Sequence, residues 1–256
     1  MDWAARRRFL IFLIVGAVVV SFLAVVIIAA LYKTPSCADG IANQDEAGID
    51  CGGPCAYLCS FQILPPTVLF TKVLNNGSDR IDIIAEIENK NNEAAAKNVP
   101  YSITLFDKDQ IFIREITGTI DLPPGETIPV FVTGVASEKQ QISSAFLNME
   151  TSAPQWFVME YDPRIVPVVL RTTRGGTTQT PRIESILMNQ SGIPLTNVQA
   201  IVVVRNAKKD VIAASETVVP VIPSQGQSTA IFTWNSAFSS VPASIEVVPI
   251  IPLPDR

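Results

Sequence analysis

The stretch Ile81-Asp-Ile-Ile-Ala-Glu-Ile-Glu88 decides the fold. Its odd positions, Ile81, Ile83, Ala85 and Ile87, are apolar, and Asp82, Glu86 and Glu88 fall between them. A period of two is the signature of a strand with one face on a core and the other in water. This reading puts the three carboxylates in solvent. Tyr101, Ile103 and Leu105 alternate likewise with Ser102, Thr104 and Phe106. Outward from these segments, the chain beyond Phe61 is rich in Val, Ile and Thr and is punctuated by Pro, Gly and Asn. No long segment there has the 3.6-residue apolar period of a surface helix, so the region is expected to be all-β.

From about Pro66 the pattern returns after roughly 100 residues. Val68–Val73, an Asn76-Gly77 turn and Arg80-Ile-Asp-Ile answer to Val166–Arg171, a Gly175-Gly176 turn and Arg182-Ile-Glu-Ser. Both dipeptides suit tight hairpins. Asn98-Val99 before Tyr101-Ser-Ile-Thr-Leu answers to Asn197-Val198 before Ala200-Ile-Val-Val-Val, and the polar turns Asp107–Asp109 and Asn206–Asp210 follow. Pro123-Pro-Gly125 corresponds to Pro223-Ser-Gln-Gly226. Each copy offers about seven short strands, the pattern of an immunoglobulin-like sandwich. The expectation is two tandem immunoglobulin-like β-sandwiches, at residues 61–162 and 163–256.

The N-terminal part has a different character. Phe9 to Leu31 or Tyr32 contains no charge, and at about 1.5 Å per residue it spans the roughly 30 Å hydrocarbon layer of a bilayer. A cleaved signal peptide is the rival, but its apolar core runs about 7–15 residues and ends at a small-residue cleavage site, whereas this run continues through Val25, Val26, Ile27 and Ile28. Thr34-Pro-Ser36 before Cys37 does not resemble a lipobox, and the run lacks the acidic residue of a pilin-like N-terminus. Arg6, Arg7 and Arg8 precede the run and only Lys33 follows it closely. This bias predicts a cytoplasmic tail at 1–8, a transmembrane helix at 9–32 and an extracytoplasmic remainder of a plasma-membrane protein.

All four cysteines, Cys37, Cys51, Cys55 and Cys59, lie just past that helix, in a module spanning 33–60. An even number in an oxidising compartment points to two disulfides, with three pairings open. The alternative is a four-thiolate zinc site, whose two short knuckles this spacing does not reproduce. Between Cys37 and Cys55, Asp39, Asn43, Asp45, Glu46 and Asp50 crowd a Gly-punctuated loop. Such oxygen density suits calcium, the one cofactor the sequence suggests. The competing account is turn chemistry, with Asp and Asn bonding nearby backbone and glycines supplying positive φ. The run is not an EF-hand, because the closing glutamate is absent and Pro54 stands in its place.

Two resemblances follow from these residues. Cys37-Ala-Asp-Gly, Asn43, Asp45-Glu46, Gly48 and Asp50-Cys-Gly-Gly-Pro-Cys55 resemble the short Cys-Asp-Gly…Asp-Cys-Gly-Gly-x-Cys modules of prokaryotic cell-surface proteins. This implies a surface location and no particular activity. Asn98-Val-Pro-Tyr-Ser-Ile-Thr-Leu-Phe-Asp and Leu122-Pro-Pro-Gly-Glu-Thr are similar to late-embryogenesis-abundant type 2 and FxLYD-like β-sandwiches. That likeness implies a fold and carries no functional residue with it.

Catalysis finds little footing. The chain has no histidine, which removes the commonest general base and the ordinary Ser-His-Asp and Cys-His arrangements. Asp107 and Asp109 flank Lys108 in a hairpin turn, and no Walker-type Lys-Ser/Thr follows Gly175-Gly176. Lys and Arg total 19 against 24 Asp and Glu, so a nucleic-acid partner is not expected. Trp156-Phe-Val-Met-Glu-Tyr161 and Phe232-Thr-Trp234 are aromatic-rich segments; if Trp156 and Tyr161 are exposed together, they are the partner-binding candidates. Asn76-Gly-Ser and Asn189-Gln-Ser fit the N-glycosylation triplet. The expected role is a noncatalytic adhesion, assembly or protein-interaction component with a protein or surface-glycan partner. A calcium-dependent receptor or sensor is the alternative, and an enzyme ranks third.

Overall fold

The computed structural model describes residues 3–31, 36–43, 45–75, 80–136, 142–150 and 156–255. The Asn76-Gly77 turn, the Asn76 triplet and residues 32–35 lie outside them. The chain divides into two compact units, Met1–Cys55 and Ala56–Arg256.

In the first unit, helix α1 (Trp3–Leu31) is 29 residues long, or about 44 Å. Proline is absent from it and Gly16 is its one glycine, so little opposes helix formation. Every side chain from 6 to 29 is exposed. A helix apolar on all sides, with its described side chains from 6 to 29 exposed, suits a lipid environment, as a membrane anchor or a signal sequence.

The second unit is all-β among its described residues, apart from one 3-10 turn at Ser60–Gln62. The first sandwich comprises β1 (Thr67–Asn75), β2 (Ile81–Glu88), β3 (Ala94–Phe106), β4 (Phe112–Leu122), β5 (Thr127–Ala136), β6 (Ser144–Met149) and β7 (Trp156–Val158). The second comprises β8 (Val168–Gly176), β9 (Pro181–Met188), β10 (Leu195–Arg205), β11 (Val211–Ile222), β12 (Gln227–Thr233) and β13 (Ser244–Ile250). The sheet β1-β2-β5 faces β4-β3-β6, where β7 also joins β3; the sheet β12-β9-β8 faces β11-β10-β13. The strand pairings among the described residues are antiparallel.

Alternation builds each core. Ile83, Ala85 and Ile87 of β2 meet Ile103 and Leu105 of β3 and Leu147 of β6. In the second sandwich, Ile183 and Leu187 of β9 meet Val202 and Val204 of β10 together with Phe232 and Trp234.

The other face of β2 does not reach water. Asp82 is fully buried, Glu86 is 8% exposed, and Ile84 between them is fully buried; Glu88 alone of the three carboxylates is half-exposed. The reason is a third apolar layer. Leu74 and Ile84 pack against Ile201, Val203, Val211 and Ala214, with Phe70, Phe131 and Ile250 at its margin. The sheet β1-β2-β5 thus lies on β11-β10-β13, and the four sheets form one stack. The run Ala200-Ile-Val-Val-Val204 serves both sides of β10, as expected for a strand covered on both faces.

The polar groups caught in this layer are paired. Asp82 takes a 3.0 Å ion pair from Arg80 and accepts a 2.7 Å hydrogen bond from the Gly134 amide. Arg205 bridges Glu86 and Glu246, the latter at 2.7 Å. Burial raises the pKa of Glu86 above the ordinary glutamate value, and Arg205 offsets only part of that rise.

A buried asparagine organises one end of each sandwich. Asn89 Nδ2 donates to the carbonyls of Ala94, Leu122 and Pro123, and its Oδ1 accepts from the Asn91 amide. Asn189 Nδ2 donates to Ile193, Ile222 and Pro223, and its Oδ1 accepts from the Ser191 amide. Neither residue stood out in the sequence except as a glycosylation triplet. With Asn189 fully buried and its amide engaged three times, the folded chain offers no acceptor there.

One turn also differs from expectation. Gly175 and Gly176 are the last residues of β8, paired with Arg182 and Pro181, and the hairpin turns at Thr177–Thr180. Gly176 is required because its φ is +76° and a Cβ would lie 2.3 Å from the Thr180 carbonyl oxygen.

Two outcomes are expected. Ile84→Ala, which hollows the layer between the sandwiches, should cost about 2–5 kcal/mol in denaturant titration, as for a core residue. Asn189→Ala, which strands buried carbonyls, should cost about 1–3 kcal/mol. The pH dependence has a definite sign. Because folding raises the Glu86 pKa, the cost of its charge is fully present above the folded-state pKa. That cost is relieved as pH falls toward the unfolded value. Glu86→Gln should remove this component from a stability-against-pH curve.

Candidate functional site

Two places merit description: the cysteine loop and a groove in the second unit. All four cysteines are oxidised. Cys37 pairs with Cys55, with Cα atoms 5.6 Å apart. The four-thiolate zinc alternative therefore has no thiolates to use.

Inside this loop the carboxylates face backbone amides. Asp50 accepts from the amides of Asp39 at 3.0 Å and Gly40 at 3.0 and 3.1 Å. Asp39 accepts from Ser36 and Ile41 amides and from Asn43 Nδ2 at 3.0 Å. Glu46 Oε2 accepts from the amides of Asn43 and Asp50. Asp45, exposed at φ +65°, and Asp50, at φ +57°, hold left-handed turn positions. Asp39, Asn43, Glu46 and Asp50 thus share one hydrogen-bonded network, and Asp45 is not hydrogen-bonded into it. Among the described residues, one cluster of three candidate ligand atoms is found: Glu46 with Cys37 and Cys55, whose sulfurs are in a disulfide. The geometry is that of turn chemistry, with one exception: Asn43 Oδ1 is buried and has no hydrogen-bond partner among the described residues.

In the second unit, a groove of about 320 Å3 runs between β5 and β13. Both are edge strands of their sheets. Ile128, Val130, Ile201 and Ile250 supply apolar surface, and Asn98, Tyr101 and Gln199 add polar groups. Tyr101 lies across Gly118, where a Cβ would come 2.4 Å from the phenol oxygen. Burial raises the pKa of this phenol.

Arg164 closes one end of the groove. Its side chain is 5% exposed and contacts Glu126 at 2.5 Å, Asp162 at 2.7 Å and the Ile251 carbonyl at 3.2 Å. Burial alone would lower the Arg164 pKa and raise that of Asp162, but their mutual hydrogen bonds outweigh it, so Arg164 is raised and Asp162 lowered. Beyond Arg164 the segment following β13 crosses back onto the first sandwich. The Leu253 amide donates to Asp121 Oδ2 at 2.8 Å, and its side chain fills a socket of Ala95, Phe157 and Met159. Lys97 pairs with Asp255 at its far end.

Trp156 and Tyr161 are not exposed together. Trp156 is 3% exposed within the first core, whereas Tyr161 is 82% exposed. Phe232 and Trp234 are buried in the second core, and Trp234 Nε1 donates to the Ala214 carbonyl at 3.3 Å. The groove and the buried asparagines escaped sequence reasoning. The doubly buried run at 200–204 was the signal that the two sandwiches are stacked closely enough to form a groove.

No family model and no curated protein matches the chain. Among solved structures, the chain is similar to a transglutaminase of red sea bream, at 9% identity and a TM-score of 0.24, over 75% of this chain and 32% of that one. The chain thus spans about a third of that enzyme's length, and a likeness this slight carries no argument.

Asp50→Ala should remove the carboxylate that accepts from the Asp39 and Gly40 amides, with Asp39 keeping its 3.3 Å bond to the Ser36 carbonyl, at a local cost of about 1–3 kcal/mol. Hydrogen exchange at both amides, followed by NMR, should accelerate by about tenfold or more.

Proposed function

We propose that this chain is a noncatalytic interaction or assembly component of the cell surface, held in the plasma membrane by α1. Arg6, Arg7 and Arg8 lie on the cytoplasmic side, and Ala56–Arg256 is presented outside. The observation that carries this reading is the pairing of an exposed apolar helix with four oxidised cysteines directly after it. Disulfides persist in oxidising compartments, and the arginines before the helix favour retention of that end inside. The likeness of the cysteine loop to prokaryotic surface modules agrees with this placement. The absence of histidine from the sequence weighs against ordinary acid/base catalysis. The two sandwiches are read as tandem copies of one plan. In support, β1-β2-β5 recurs as β8-β9-β12, β4-β3-β6 as β11-β10-β13, and Asn89 as Asn189 with matching bonds.

The test is crosslinking in native membranes with an impermeant reagent, followed by mass spectrometry. Links from the sandwiches to one defined protein are expected. Complete protection of the sandwiches from the reagent would overturn the topology, and links only between copies would replace a heterologous partner by self-association.

Calcium-dependent sensing is a second reading, favoured by the buried Asn43 Oδ1, which has no hydrogen-bond partner among the described residues. A calcium-dependent rise in thermal stability that Asp39→Asn abolishes would support it. Indifference to calcium and chelator would leave the loop as a disulfide-stapled spacer.

A further inference from the structure

We propose that copies of this chain stack end to end, with the outer face of β4-β3-β6 on one copy laid against the outer face of β12-β9-β8 on the next. This rests on the assembly reading above and goes beyond it by naming a second copy as a partner.

The four-sheet stack leaves one outer face at each end. In β3, Ile103 and Leu105 enter the first core, so Thr104 and Phe106 turn outward, and the register sets Phe146 beside Thr104 and Phe112 beside Phe106. The Phe106 ring meets Phe112 at 6.4 Å and Phe146 at 5.8 Å, both edge to face. Phe112 is 58% and Phe146 54% exposed. Three rings that hold one another form an apolar patch across three strands, with little side-chain freedom left to lose on contact.

The opposite end is aliphatic. Ile183 and Leu187 of β9 enter the second core, which turns Glu184, Ile186 and Met188 outward; Ile231 is paired with Glu184 and Val168 with Met188. Ile231 is 41% and Val168 42% exposed.

A charge of opposite sign accompanies each patch. Glu115 stands opposite Thr104 on the first face, and Arg171 opposite Ile186 on the last. Neither has an ion-pair partner among the described residues, whereas Arg182 on the last face is already bound to Glu184 at 2.7 Å. The outward positions of the first face carry no basic residue among the described ones; Arg114 is paired with the inward-facing Leu105.

The chain contains a template for such a contact. Where β1-β2-β5 lies on β11-β10-β13, Ile84 packs on Ile201 and Val203, and Glu86 reaches Arg205 on the other sheet. The two outer faces offer the same parts: apolar side chains, a carboxylate on one face and a guanidinium on the other. Pairing either face with its own copy would bring Glu115 to Glu115 or Arg171 to Arg171, so the charges select unlike faces. A contact between unlike faces that does not close into a ring continues as a row of copies.

The test is sedimentation velocity on the full chain in detergent micelles. The parent chain should form species larger than a dimer as concentration rises. Phe146→Asp blocks the first face and Ile231→Asp the last; both side chains are exposed, so thermal midpoints should stay near that of the parent. Each variant alone should be monomeric, and an equimolar mixture should form a dimer and stop there, because one intact face of each kind remains. Glu115→Arg or Arg171→Glu alone should weaken association roughly threefold to tenfold, and the two reversals together should restore it. A monomeric parent up to about 100 μM overturns the proposal and leaves the faces to a different protein. A parent that stops at a dimer, oligomers that neither aspartate variant changes, a mixture that stays monomeric, or a double reversal that restores nothing each overturns it as well. The measurement uses purified chain and does not depend on membrane orientation, so its failure and a failure of the crosslinking experiment are told apart.

Discussion

The second unit depends on the contact of one sheet face with another: β1-β2-β5 laid on β11-β10-β13. Each sandwich has its own core, but this third layer makes the pair one compact body. Ile84, Ile201 and Val203 remove apolar surface from water at a place where a freely linked pair of domains would expose it. The layer also fixes the charges trapped in it. Asp82 is tolerable because Arg80 and the Gly134 amide saturate it, and Glu86 because Arg205 reaches across. Isolated, either carboxylate would carry a large desolvation penalty. The Glu86–Arg205 pair joins the two sheets, whereas Asp82 is held within its own.

Much of the fold was legible because alternation and turns are local signals. The odd positions of β2 and β3, and the turns at Asp107, Pro123, Asn206 and Pro223, behave as their residue types dictate. What failed was the inference that a charged residue at an even position marks solvent. Asp82 and Glu86 obey the period of two, but the period only divides a strand into faces and cannot say what covers each one. Asn189 was read as a surface triplet for a similar reason. A three-residue pattern carries no information on burial, and the carbonyls that engage this side chain come from residues up to 34 positions away. The groove was illegible because its walls come from strands more than 100 residues apart in sequence, a distance no periodicity spans.

The cysteine loop shows how a short segment keeps a shape with almost no core. Asp39, Glu46 and Asp50 resemble ligands when read in a row, and in space they accept from backbone amides, with Asp50 receiving two and Glu46 receiving two more. The disulfide from Cys37 to Cys55 closes a loop 18 residues long in sequence separation. Such a crosslink limits the freedom of the unfolded segment by an amount that hydrophobic burial could not supply at this size.

The strap at 251–255 governs how mechanical load would travel. Leu253 seats in a socket formed by the first sandwich, where Asp121 accepts from the Leu253 amide and Lys97 pairs with Asp255. A pull applied to chain beyond residue 255 is delivered first to the sandwich nearer the N-terminus, bypassing the second one. As long as the strap holds, the second sandwich forms a loop outside the line of tension, and its own strands are spared. The clip would have to slip before force could begin to peel β13 from β10, so the strap acts as a mechanical fuse between two parts of a single folded body.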